Sequence, residues 1–458
     1  MLRQRNDATN LATRLLMAGA LLPLPALAQA PPEAPPSPRE QALEARVAAL
    51  EAMIATLQAE RPPAPAAAPA AAPAAAAAPA PATPAAPAIQ TTPINTAGFP
   101  GTRFSFGGFI KLEALTTATD GGELPDGGAA RLLYLPGAIP VGAANEGTDL
   151  DTSAQFSRLW FASDATLDDG TPLRAYIELD LFGSALGNEM ATNTYGVALR
   201  HAWASWGRWM VGQNWSNFQD PASMVDSIDL VGATDAAVFV RQPQVRYTHG
   251  AWSLSLENPE TVFSPRGGNF ARISSDDNVL PDLTARWTHR GAWGHVSVAG
   301  LLRELRHETT TGIDDASAGF GLSLTGRQII NPANDLRYGV TLGRGISRYI
   351  GFAIGPDAIL DGNRLEAVDT QAVFAGWRHV ISPQWRGNLY ASASFFDNDP
   401  LQTGGGAIER VGSVAGNLIY SPHPRIDVGL EGRLGRRWLE NGSEGDLSRL
   451  HFHVRYNF

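Results

Sequence analysis

From residue 102 onward the chain reads as sixteen short segments in which apolar and polar residues alternate. Successive side chains of a strand point to opposite faces, so each segment is a strand with one apolar and one polar face. RFSFGGFIKLEAL is the first. SRLHFHVRYNF is the last, and sets Leu450, Phe452, Val454, Tyr456 and Phe458 against His451, His453, Arg455 and Asn457. The connections also alternate. DDGT, GR, HG, RG, NPAND, SPQ and SPHP are tight; 116–153, 184–193, 216–238, 259–280, 307–316, 345–366, 396–407 and 438–447 read as long. A soluble sandwich has no reason to sort its loops in this way. Tight turns on one side, long loops on the other and an even strand number describe an antiparallel transmembrane β-barrel. The fold class is therefore all-β. An even count returns both barrel ends to the tight-turn side, which is periplasmic, and places Phe458 in an aromatic girdle at the membrane boundary.

The N-terminal region supports export. Arg3, Arg5 and Arg14 precede the apolar run LLMAGALLPLP, and ALA at 26–28 makes a small-residue cleavage site, so 1–28 reads as a signal peptide. That run is too short to span a bilayer as a helix. In the periplasmic segment 29–61, Leu43, Val47, Leu50, Ile54 and Leu57 follow a 4-3-4-3 spacing, the seam of a short coiled coil. Residues 62–98 form a Pro/Ala-rich linker; its 62–88 stretch is a semi-rigid spacer reaching roughly 80 Å. The barrel occupies 99–458.

The chain has no cysteine, which removes disulfides and thiolate sites, and its net charge of -10 argues against nucleic acid. No G-x-S-x-G, H-E-x-x-H or P-loop occurs. We expect no enzyme activity, cofactor or metal; His451 and His453 share a strand face, but as lumen lining.

If apolar positions face lipid, their alternates face the lumen. This parity points Arg158, Arg174, Tyr176, Glu178, Asp180, Gln242, Gln244, Arg246, Arg286, Arg386, Glu431, Arg433 and Arg455 inward. A basic lumen in an acidic protein favours anions; paired wall charges are the bland alternative. The segment SNFQDPASMVDSIDLVGATDAAVF carries Asp220, Asp226, Asp229 and Asp235 and no basic residue. Folded inward, its acids would face an arginine wall.

FGGFIKLEAL, SRLWFASDATLDDGTPLRAYIELDLFG, LRHAWASWGRWMVGQNWSNFQDP and FVRQPQVRYTH resemble the DcaP-like trimeric outer-membrane porins, as do the coil and linker ahead of them. The resemblance implies a homotrimer of 16-stranded barrels, surrounded by outer-membrane lipid and lipopolysaccharide, that takes up small anions such as dicarboxylates. It assigns Arg158, Arg174, Arg200 and Arg246 to the lumen or constriction and Asp220 to the inward loop. Trp160 departs from the small or polar residue expected at its position. The competing function is a structural tether, with the coil binding peptidoglycan and the barrel serving as a plug.

Overall fold

The computed structural model describes residues 101–144, 147–183, 195–269 and 271–458. The signal peptide, the coiled-coil segment and the linker through residue 98 lie outside the described residues.

Seventeen strand segments form one sheet, and two of them, Thr148–Ser153 and Arg158–Thr166, pair with the same first strand. Counted as one strand interrupted at 154–157, they leave sixteen. In chain order these are β1 Arg103–Thr119, β2 (the two stretches just named), β3 Pro172–Gly183, β4 Gly196–Trp206, β5 Trp209–Trp215, β6 Arg241–His249, β7 Trp252–Glu257 and β8 Asp282–Gly291. The second half comprises β9 Gly294–Glu308, β10 Asp314–Asn331, β11 Asn334–Arg344, β12 Asp369–Val380, β13 Trp385–Asp397, β14 Ile408–His423, β15 Ile426–Leu439 and β16 Glu444–Asn457. Every neighbouring pair is antiparallel, and β16 returns to β1 with Phe109 opposite Asn457 and Thr119 opposite Leu447. The sheet closes and has no edge, the condition for a sheet in hydrocarbon.

The amide of Phe458 donates to Gly108 O at 3.1 Å and Gly108 N donates back at 3.3 Å, so the last residue completes the seam. Leu112, Val211, Leu302, Leu322 and Leu434 are exposed on the outer face. Trp206, Trp209, Trp252, Trp293, Trp377, Trp385 and Tyr456 are exposed too, and cluster toward the tight-turn ends of their strands. This is an aliphatic band ending in an aromatic girdle.

Two connections differ from expectation. The β9–β10 and β15–β16 connections are tight, because pairing persists to Glu308 opposite Asp314 and to Trp438 opposite Glu444. Those strands run on beyond the band, and the expected loops are largely strand.

Among the described residues, three long loops enter the barrel. The 120–147, 216–240 and 345–368 connections place Tyr134, Phe218, Ile228, Ile346, Tyr349 and Ile350 out of solvent. Phe218, Val238, Ile346, Tyr349, Ile350 and Ile354 pack on inward residues Ala299, Leu301, Ala372, Phe374 and Val411 of the wall. The sequence reading anticipated one inward loop. The signal for the other two was apolar content, LLYLPGAIP and ISRYIGFAI, which a solvated loop has no use for. A four-stranded sheet of Thr261–Pro265, Ile273–Ser275, Ala358–Asp361 and Arg364–Ala367 joins two loops on the same side.

Candidate functional site

The 216–240 segment crosses the lumen and is tied to the wall along its length. His295 Nε2 of β9 lies 2.7 Å from Asp220 Oδ2, and Thr325 Oγ1 of β10 donates to the same oxygen at 3.1 Å. Arg286 of β8 donates to Gln219 O, and Arg337 of β11 to Met224 O at 2.5 Å. Lys111 of β1 donates to Ile228 O at 2.8 Å, and Arg433 of β15 to Gly232 O at 2.7 Å. Ile228 N donates to Glu431 Oε2 at 2.9 Å. The loop acids are similarly engaged. Asp229 Oδ1 accepts from Tyr134 N at 3.1 Å, and Asp235 accepts from Tyr134 Oη, Ser392 and Ser413. A buried polar group without partners costs about 1–3 kcal/mol, so a loop supplied with this many partners is held in one position.

Between this segment and the tight-turn rim lies a cavity of about 670 Å³. Lys111, Arg158, Arg327, Arg337, Arg378, Arg386 and Arg455 line it, together with Phe109, His453 and loop residues 221 and 224–231. The arginines are paired, but the pairs are layered. Side-chain exposure is 36% for Arg327, 32% for Arg455, 25% for Arg378, 19% for Arg386 and 17% for Arg337. The wall carboxylates holding them, Asp335 and Asp427, are exposed by only 4% and 11%. Guanidinium heads thus form the inner surface and carboxylates sit behind them. Asp226 is the exception, at 26%, and bridges Arg386 at 2.9 Å and Arg378 at 3.3 Å.

The residues singled out from sequence do not share one setting. Arg158, Glu178, Asp180 and Arg200 come together: Arg200 Nε lies 2.7 Å from Glu178, its Nη1 2.8 Å from Asp180, and Arg158 3.4 Å from Glu178. Arg200 is buried, and so is Arg433, which is bracketed by Tyr134 at 4.4 Å and Tyr390 at 5.4 Å. These two hold structure rather than present an open charge. Arg246 and Arg286 are half-buried, Arg246 donating to Trp215 O at 2.5 Å and to Gln244. Arg174 stands apart, near the tight-turn end of β3, with its side chain 47% exposed and 3.3 Å from Asp164. It does not flank the inward loop, because that loop leaves from the opposite ends of the strands. Asp220 and Asp229 do not face an arginine wall across open space: they are buried as loop anchors, and Asp226 is in direct contact with its arginines. Arg327, Arg337 and Arg378 were missed, although the parity rule that selected Arg386 applies to them equally. Among the described residues no group of His, Asp and Glu is arranged to hold a metal ion.

A closed 16-stranded barrel with an inward loop and a charged chamber is a channel architecture. The DcaP outer membrane protein family matches residues 102–458, the whole of the barrel. The chain belongs to the DcaP outer membrane protein family. The solved outer membrane channel DcaP of Acinetobacter baumannii aligns with this DcaP-family chain at a TM-score of 0.64 and 22% identity, over 78% of this chain and 98% of that one. An anion-selective porin from Comamonas acidovorans aligns at a TM-score of 0.46 and 11% identity, over 78% and 100%. OmpT of Vibrio cholerae gives 0.46 and 12%, over 78% and 98%. Likeness at the latter two TM-scores decides nothing about this chain. Among curated proteins none matches it. As a DcaP-family barrel with porin architecture, it is an outer-membrane channel protein.

Proposed function

We propose that the protein is a porin for passive diffusion of small, preferentially anionic solutes, with residues 216–240 forming its constriction. The layering of charge in the chamber carries this reading. A solute passing below the inward loop meets guanidinium heads before it meets the carboxylates behind them. In a narrow passage with low-dielectric walls, such fixed charges are weakly screened and concentrate counter-ions.

Arg158, Arg327, Arg337, Arg378, Arg386 and Arg455 are the residues we assign to the anion path. Arg174, Arg246 and Arg286 border it, while Arg200, Arg433, Glu178 and Asp180 hold the wall and the loop. Asp220, Asp226 and Asp229 set the position of the constriction. The spread of cations around the chamber suits a solute with two carboxylates, hence small dicarboxylates. The working unit is a homotrimer, assisted by the coiled coil at 40–57 in the periplasm.

The test is a planar bilayer with a potassium chloride gradient. We expect a reversal potential on the chloride side and concentration-dependent block by succinate. Replacing Arg378 and Arg386 together by alanine should lower the chloride-over-potassium permeability ratio. A cation-selective wild-type pore would refute the proposal.

A further inference from the structure

The inner wall of β2–β4 carries a feature that anion passage alone does not require. Trp160, Tyr176 and Trp203 stand side by side across three adjacent strands, all half-buried and all on the lumen face. Ring centroids are 6.0 Å apart for Trp160 and Tyr176 and 5.6 Å for Tyr176 and Trp203, with planes inclined by 25° and 28°. The three rings form an offset staircase, a favoured geometry for aromatic groups.

The backbone is shaped for this row. A Cβ at Gly107 would lie 2.6 Å from the Trp160 ring, and one at Gly212 would lie 3.1 Å from Trp203 Cβ and 2.3 Å from Ala202 O. The Trp160 indole is therefore seated against a glycine of the neighbouring strand, and the backbone beside Trp203 is approached closely by another. Trp203 reaches the lumen only through a β-bulge. The pairing shifts from Glu178 opposite His201 to Leu179 opposite Leu199, leaving Arg200 unpaired in the ladder. That extra residue inverts the parity of the rest of β4 and brings Trp203 inside.

Charge flanks the row along the strands. Arg174 precedes Tyr176 by two residues on the same face of β3, and Arg158 precedes Trp160 likewise on β2. Two residues of strand span about 6.6–7 Å, close to the roughly 3.7 Å from the centre of an aromatic ring to the oxygen of a carboxylate on it plus a charge-assisted hydrogen bond of about 2.8 Å to a guanidinium. Tyr176 Oη is fixed by donation to Glu178 at 2.6 Å, so the central ring cannot swing away.

From this juxtaposition we propose that the Trp160–Tyr176–Trp203 row is a binding subsite for planar aromatic carboxylates, the ring stacking on the row and the carboxylate meeting Arg158 or Arg174. The inference rests on the anion-pore reading and narrows its solute class. A ring carboxylate would exploit both features of the wall, whereas an aliphatic one would use only the arginines.

The test is current-fluctuation analysis of single channels with benzoate and cyclohexanecarboxylate, which share charge and ring size but differ in planarity. Wild type should bind benzoate about fivefold more tightly, the scale of one aromatic contact. Trp203→Leu and Trp160→Leu should each bring the ratio toward one, and Trp203→Phe should retain most of it. The ratio is internal to each channel, so it is insensitive to changes in overall conductance or yield. A wild-type ratio of one in an anion-selective pore would overturn the subsite and leave the pore reading intact. A cation-selective pore would overturn both. A neutral disaccharide that blocks as tightly as benzoate would overturn the assignment to a charged ring.

Discussion

Arg433→Met should release the inward loop while leaving the barrel closed. The Arg433 side chain is 2% exposed and lies 3.5 Å from Glu431, which is equally buried. It donates to Gly232 O at 2.7 Å, Tyr390 Oη at 2.8 Å and Ser413 Oγ at 3.1 Å. Methionine keeps much of the aliphatic volume and removes the charge. Breaking a buried ion pair by removing one partner costs about 3–5 kcal/mol, mostly from the charge left behind. Glu431 keeps two donors, Ile228 N at 2.9 Å and Asn417 Nδ2 at 3.0 Å, which argues for the lower end of that range. A loss of about 3 kcal/mol in the closed loop alone lowers its closed-to-open ratio by roughly a hundredfold. The strand ladder on either side of β15 is untouched, so the barrel should remain folded in detergent. Single-channel records should gain open-channel noise or larger conductance steps, and residues 216–240 should become cleavable by added protease. Quiet wild-type conductance together with a protease-resistant loop would refute the reasoning.

The other expectations follow from the same contacts. Asp226→Asn removes the exposed acid between Arg378 and Arg386 and should raise the chloride-over-potassium ratio, whereas Arg266→Ala, on an external loop, should leave reversal potentials unchanged. Deleting residues 29–98 should still yield trimers in mild detergent, with a lower melting temperature, because a seam of little more than two heptads is marginal alone; recovery of monomers only would count against this. Acid should affect the loop in order. Burial pushes the Asp235 carboxyl up despite hydrogen bonds from Ser392 and Ser413, so its ionised form costs stability and that cost is relieved as pH falls. Burial acts the same way on Asp229, but the Arg433 and His451 charges and the Tyr134 amide outweigh it and hold that carboxyl below the usual range. The Asp229 contribution is present above the unfolded carboxylate pKa of about 3.9 and lost as pH falls through the lower folded value. Conductance should therefore stay constant through mildly acidic pH and change only in strong acid; loop opening between pH 5 and 6 would contradict it.

The barrel was legible in the sequence because lipid enforces a simple rule. A strand in hydrocarbon must show apolar residues on every second position and find partners on both sides, and that rule is local. It carried the sixteen strands, most of the sorting of turns and loops, the seam at Phe458, and the inward parity of Arg158, Arg386 and Arg455. It failed where the ladder itself is irregular. The bulge at Arg200 turns Trp203 inward and Trp206 outward, the reverse of what an unbroken alternation from Arg200 would give. It also could not say which inward arginine is open and which is buried. Arg386 and Arg433 have the same parity, yet Arg386 lines the chamber while Arg433 is enclosed by Tyr134, Tyr390 and Gly232. Those partners lie on other strands and loops, up to 299 positions away in the case of Tyr134, and only closure of the barrel brings them together. Alternation along one strand determines which side of the wall a residue faces; what it meets there is decided by segments remote in sequence, and so by the tertiary structure.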